Sequence, residues 1–163
     1  MRALIAAIAA ASLLLVGAVP ASAAVTPDAA SKWMQGYLNA WETRDADAVV
    51  KLFTPNGIYQ SVPSDKTQTF VGRAAIHKYW VDVTKTQSKI NGIQGKPIVT
   101  GNRAAIEIWV RFRDATLNPK GDHMITLLET NVLTFAANGL VSKNVEYWNV
   151  RTGSHAPPPG WGK

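Results

Sequence analysis

Glu129 and Asn131 stand two residues apart in the apolar run His123–Phe135. Residues two apart in an extended chain share a face, so a carboxyl and a carboxamide would project side by side from one strand. Glu146 and Trp148 form a second such pair in the following run, Leu140–Arg151. A carboxyl taken out of water resists ionisation, and its pKa rises. Two of them facing an apolar cavity could hold and release a proton near neutral pH, which is general acid–base chemistry. Asn131 could donate a hydrogen bond to a developing oxyanion. The plainer alternative for each acid is an arginine partner or a position capping the cavity mouth. Tyr37 could orient a ligand oxygen, but it lies on an apolar stripe that core packing alone explains.

Other chemistries find little support. The three histidines, His77, His123 and His155, have no metal-ligand spacing. His77 lies off the apolar stripe of its helix, His155 lies in the tail, and His123 starts a strand where it could border a pocket mouth. There is no phosphate-binding loop and no glycine-flanked nucleophilic serine. Nothing calls for a metal or cofactor. The formal net charge is +6, but the basic residues are scattered, so the charge reads as a solvated surface and not as a nucleic-acid arm.

The elements that must carry these residues can be read from punctuation and period. Residues 1–23 carry a positive start, an apolar stretch from Ala3 to Val19, Pro20, and then Ala21-Ser22-Ala23. That is the pattern of a secretory signal peptide, with cleavage expected after Ala23 and a secreted or periplasmic product. Processing would leave no membrane span, and the absence of cysteine is compatible with an oxidising compartment. A helix is expected from Thr26, with Ala30, Trp33, Met34, Tyr37, Leu38 and Trp41 as its apolar stripe. A short helix from Asp45 would bury Val49, Leu52 and Phe53 before Pro55-Asn56-Gly57 stops it. A strand from Ile58 to Val62, carrying Tyr59, and a polar loop from Pro63 to Thr69 follow. A third helix begins after Gly72, with Ile76, Tyr79, Trp80 and Val83 inward.

The remainder reads as β. One strand spans Lys89 to Thr100 and turns at Gly101-Asn102. Ala104–Arg113 alternates, with Ile106, Ile108, Val110 and Phe112 on one face and Glu107, Trp109, Arg111 and Arg113 on the other. Asn138-Gly139 closes a hairpin between the two acid-bearing strands. The tail, Gly153 to Lys163, is Pro- and Gly-rich and is expected to be disordered. Three helices followed by antiparallel strands give an α+β fold, a cone of curved antiparallel sheet with the helices on its concave side. A bent sheet closed by helices leaves one pocket at its open end.

Three stretches resemble one superfamily. Gln35–Phe53, with Tyr37, Trp41 and Asp45 in it, resembles the opening of nuclear transport factor 2-like proteins, which include ketosteroid isomerases and SnoaL-like polyketide cyclases. Phe70-Val71-Gly72-Arg73-Ala74-Ala75-Ile76 resembles their entry into the third helix. Asn138-Gly139-Leu140-Val141 and Glu146-Tyr147-Trp148 resemble their final hairpin. The resemblance covers residues 27–151 and fits the fold inferred above.

What the resemblance implies for the site is mixed. Ketosteroid isomerases use a carboxylate base together with a tyrosine and a protonated aspartate that hold an oxyanion. Carried over residue by residue, the tyrosine falls on Tyr37, the base on Ser61 and the aspartate on Asn131. A serine is no base for a carbon acid, so that isomerase route is not expected. The same correspondence turns Ile125, Leu127, Glu129, Asn131, Leu133 and Phe135 toward the pocket, with Glu146 and Trp148 beside them. Glu129, Asn131 and Tyr37 are then the catalytic candidates. Trp41, Tyr59, Trp80, Glu146 and Trp148 are the ligand-binding ones, and the partner is a small apolar ligand. The implied function is a lyase, isomerase or cyclase acting on an apolar or cyclic substrate, with a non-catalytic binding protein or a dimeric assembly module as the alternatives. Trp109, expected on the exposed outer face, suggests a homodimer through that face.

Overall fold

Thr26 starts the first helix through its side chain: Oγ1 accepts from the Ala29 N–H at 3.1 Å, Pro27 takes the first helical position, and α1 runs Pro27–Thr43. Asp45 caps α2, Ala46–Lys51, in the same way, accepting from the Ala48 N–H at 2.8 Å. The structure, a computed structural model, describes residues 24–163. The signal peptide expected at residues 1–23 lies outside the described residues. Among the described residues no helix is long and apolar enough to cross a membrane.

The chain continues through β1 (Phe53–Gln60), β2 (Thr69–Val71), α3 (Arg73–Thr84), β3 (Ser88–Gln94), β4 (Ile98–Thr100), β5 (Arg103–Arg113), β6 (Met124–Phe135) and β7 (Val141–Thr152). The seven strands form one sheet in the order β2-β1-β7-β6-β5-β3, with β4 also paired to β5. The sheet is mixed where an antiparallel one was expected, because β1 runs parallel to β7. That pairing also changes the reading of Phe53, which begins a strand and does not end a helix. Pro55-Asn56-Gly57 lies inside β1, where the register shifts between Phe53 and Ile58. The loop expected at Pro63–Thr69 contains a short 3-10 turn and delivers Thr69 into β2, which pairs antiparallel with β1. The strand expected from Lys89 to Thr100 is two strands, interrupted at Gly95-Lys96-Pro97. Pro97 cannot donate to a ladder.

The alternation in β5 holds: Ile106, Ile108, Val110 and Phe112 are all buried and meet the stripe of α1, with Trp33, Met34, Tyr37, Leu38 and Trp41 in one apolar core. Contact between helix and sheet is so close that a side chain at position 92 would displace a leucine of α1. A Cβ on Gly92 of β3 would come within 2.6 Å of Leu38 Cδ2. The helices therefore sit on the concave side of the bent sheet, and the layers diverge toward one open end.

The tail departs most from expectation. In place of disorder, residues 153–163 lie across the outer face of the sheet. The Trp109 indole N–H donates to the His155 carbonyl at 2.9 Å, and the Lys96 N–H donates to the Gly162 carbonyl at 2.9 Å. Trp161 meets Trp109 edge to face at 5.9 Å. A Cβ on Gly95 would lie 2.9 Å from the Gly162 Cα, so both glycines are needed for this approach. Trp109 is consequently only 4% exposed. The exposed indole that suggested a dimer face is covered by the chain's own tail. Trp161→Ala is expected to cost about 1–2 kcal/mol by removing the edge contact and its buried area. It should also red-shift the emission of the uncovered Trp109. Thermal unfolding monitored by fluorescence checks both, and an unchanged midpoint and spectrum would contradict the clamp.

Candidate active site

β6 and β7 pair antiparallel with Asn131 opposite Glu146 and Glu129 opposite Trp148. All four positions belong to the inner face, because side chains alternate from there. Glu129, Asn131 and Glu146 are buried. They lie at or behind the floor of a cavity of about 620 Å³. Its walls come from α1 (Tyr37, Trp41), α3 (Tyr79, Trp80, Val83), β1 and the residue after it (Tyr59, Ser61), β5 (Phe112) and β6 (Leu127). Leu117, Trp148 and Val150 line it while remaining partly open to solvent, which marks the mouth. The aromatic rings brace one another: Tyr37 and Trp80 meet edge on at 5.1 Å and Trp41 and Trp80 at 5.5 Å, while Tyr59 and Tyr79 are tilted against each other at 5.1 Å.

Hydrogen bonds divide the two carboxyls into different roles. Glu146 Oε1 accepts from Tyr37 Oη at 2.6 Å and from Asn144 Nδ2 at 3.0 Å. Tyr37 spends its proton there, so Tyr59 is the donor in the 3.1 Å contact between the two phenols. Glu129 Oε1 accepts from Asn131 Nδ2 at 2.6 Å. Burial pushes the Glu129 carboxyl well above the ordinary range, and the neighbouring Glu146 charge pushes it further. Burial likewise raises Glu146, but hydrogen bonds from Tyr37, Asn144 and Glu129 hold it to about 7. Two carboxyls this close in an apolar site do not both ionise. Near neutral pH the proton resides on Glu129, which donates to Glu146, and Glu146 is the carboxyl that ionises first. Burial and the two carboxyls keep Tyr37 and Tyr59 protonated, as donors and not bases.

The site therefore offers a protonated acid beside a carboxylate whose affinity for a proton is matched to neutral pH. Such a pair can give a proton to one substrate oxygen while taking one from another group. No lysine or arginine is among the residues lining the cavity. The alternative of arginine partners for the acids is thus set aside for the described residues. Among the described residues no group of three or more metal-ligating side chains occurs.

Tyr37, Trp41, Tyr59, Trp80, Glu129 and Glu146 are brought together on the cavity surface. Asn131 is 0% exposed and stands behind Glu129, so it positions that carboxyl and does not face the cavity. Trp148 is 48% exposed at the rim, its indole N–H tied to the Ser61 carbonyl at 2.6 Å. Phe135, expected on the wall, packs at the closed end against Trp33. Ser61 lines the cavity, its hydroxyl donating to Gln68 Oε1 at 3.0 Å. Sequence reasoning missed Gln68, Gln87, Phe112 and Asn144. Asn144 carried the signal that found the others, standing two residues before Glu146 on the same strand face.

Three helices over one curved mixed sheet, with a polar cluster at the floor of an open-ended pocket, define a nuclear transport factor 2-like α+β cone. Within that class the chain belongs to the SnoaL-like domain family, whose model matches residues 34–144. Similar solved structures include the epoxide hydrolase/cyclase-like enzyme SalBIII of pyran ring formation in the polyether salinomycin, at 18% identity and a TM-score of 0.61 over 73% of this chain and 92% of that one. A protein from Shewanella denitrificans OS-217 named for a SnoaL-like polyketide cyclase is similar at 14% identity and 0.61, covering 76% of this chain and 92% of that one. A protein with a ketosteroid isomerase-like fold from Catenulispora acidiphila DSM 44928, in complex with trimethylamine, is similar at 14% identity and 0.60, over 71% of this chain and 84% of that one. At these identities the likeness is one of fold. No curated protein matches.

Proposed function

We propose that the protein is a cyclase or isomerase that acts on an apolar, cyclic or ring-closing substrate through Glu129 as acid and Glu146 as base. The carrying observation is the meeting of these two buried carboxyls at the floor of an apolar cavity, with Tyr37 bonded to one of them. In a ring closure, Glu146 takes the proton of an attacking hydroxyl as its oxygen bonds to carbon. Glu129 gives its proton to the oxygen that leaves or accepts charge. The proton on Glu146 then returns to Glu129 across their shared hydrogen bond, so the pair is restored without net change. An isomerisation uses the same two transfers on a carbon acid. The cyclase chemistry that the similar structures are named for fits this reading.

A non-catalytic ligand-binding protein is the second reading. It is favoured by the donors already engaged on Glu146, which leave that carboxylate satisfied without a substrate. Both readings require occupancy. A screen of polyketides, terpenoids, steroids and aromatic acids should find ligands that quench or shift tryptophan emission and raise the unfolding midpoint. A ligand at a hundred times its dissociation constant adds about 2.7 kcal/mol. Hits that are consumed support the enzyme, hits that persist support the carrier, and a screen without hits contradicts both.

A further inference from the structure

Gln87 was not among the residues singled out by sequence, yet it is 4% exposed, lines the cavity and is held on three sides. Its backbone N–H donates to the Thr84 carbonyl at 3.0 Å, and its carbonyl accepts from Arg44 Nη1 at 3.2 Å. Its side-chain Oε1 accepts from Trp41 Nε1 at 2.7 Å. An indole nitrogen can only donate, so the orientation of this amide is fixed: oxygen toward Trp41, nitrogen away from it. The Nε2 group bonds no protein atom among the described residues and is not sealed off by them. Gln87 shares the cavity lining with Trp41 and Phe112, whose rings stand 6.0 Å apart, and Nε2 is the one polar atom of its side chain left for a ligand there.

A carboxamide N–H₂ fixed among aromatic rings is a hydrogen-bond donor that an apolar ligand would leave unpaired. We propose that Gln87 is a specificity residue, whose N–H₂ takes a neutral oxygen acceptor on the ligand's apolar body. The ligand class is then a compound with two oxygen functions, one met by Glu129 and Glu146 and the other by Gln87. The second oxygen is a carbonyl, ether or hydroxyl and not a carboxylate. No lysine or arginine lines the cavity to offset an anion, and Glu146 already supplies negative charge. This inference rests on the reading of the cavity as a small-molecule site and not on its acid–base chemistry.

The probes are the symmetric diketone of bicyclohexyl and the corresponding monoketone, which differ in a single carbonyl oxygen. Dissociation constants come from tryptophan fluorescence titration. The wild type is expected to bind the diketone about ten-fold more tightly, the worth of one neutral hydrogen bond. Gln87→Glu keeps an acceptor for the Trp41 indole but removes the donor, and the preference is expected to vanish. Gln87→Leu, which removes both groups, should abolish it as well and guards against a folding defect in either variant. Equal affinity of the wild type for the two ketones, or a preference that survives both Gln87 variants, overturns the assignment while the cavity remains a binding site. Binding of neither ketone overturns the assignment and the reading of the cavity together.

Discussion

Glu146→Gln is expected to lower turnover by about 10²–10⁴-fold while leaving ligand binding within a few-fold of the wild type. The amide keeps the size of the carboxyl and can still accept from Tyr37 and Asn144 through its oxygen. It cannot take a proton, so the loss falls on the chemical step. The pH dependence carries the same sign. Glu146 must be ionised to act as base, and its pKa lies at about 7, so the rate should rise with pH through that value. Glu129, held protonated well above the ordinary range, remains an acid over the same interval. A Glu146→Gln variant that turns substrate over at the wild-type rate would remove Glu146 from the mechanism and leave the cavity a binding site.

Stability should fall as pH rises from about 5 to 8, with no ligand present. In the unfolded chain both carboxyls ionise near the ordinary 4.5, whereas in the folded chain Glu146 holds its proton to about 7 and Glu129 beyond that. The native state thus binds more protons than the unfolded state in this window, and the linkage slope is negative. Each carboxyl contributes a loss of up to about 1.4 kcal/mol per pH unit while only its folded form is protonated. For a domain of this size that is a fall in midpoint of several degrees per unit. The carboxyls that are depressed in the fold act elsewhere. Asp114, lowered by bonds from Thr116 and Thr86 against its own burial, adds stability that is lost only as pH falls through the acid range. Substituting Glu129→Gln and Glu146→Gln together should raise the midpoint at pH 8 and flatten the profile. Calorimetry across the window measures both, and a wild-type profile as flat as that of the double variant would contradict buried, proton-holding carboxyls.

How much of this was legible follows from what each signal depends on. Alternation is local, so the inward set of β5 and the shared face of Glu129 and Asn131 could be read from spacing. The caps of α1 and α2 are local too, since Thr26 and Asp45 bond to their own helices. The parallel pairing of β1 with β7 joins Phe53 to Val141 across most of the chain, and no neighbouring residue announces it. β2 is three residues long, too short for a period to show. The tail reads as disorder because its order depends on Trp109, Gly95 and Thr126, which lie far away in sequence. Gln87 escaped notice for a similar reason. A glutamine after a helix has no pattern of its own, and its orientation is imposed by Trp41. The pocket's acids could be named in advance, but which of them keeps the proton depends on Tyr37 and Asn144 converging on Glu146 from a helix and a strand.

Carbon-13 NMR titration of the side-chain carboxyls is the most direct test of the paired acid and base. The expected result is one glutamate, Glu146, titrating at about 7 and a second, Glu129, still protonated at that pH. Both carboxyls titrating together near the ordinary 4.5, with neither protonated at neutral pH, would contradict it.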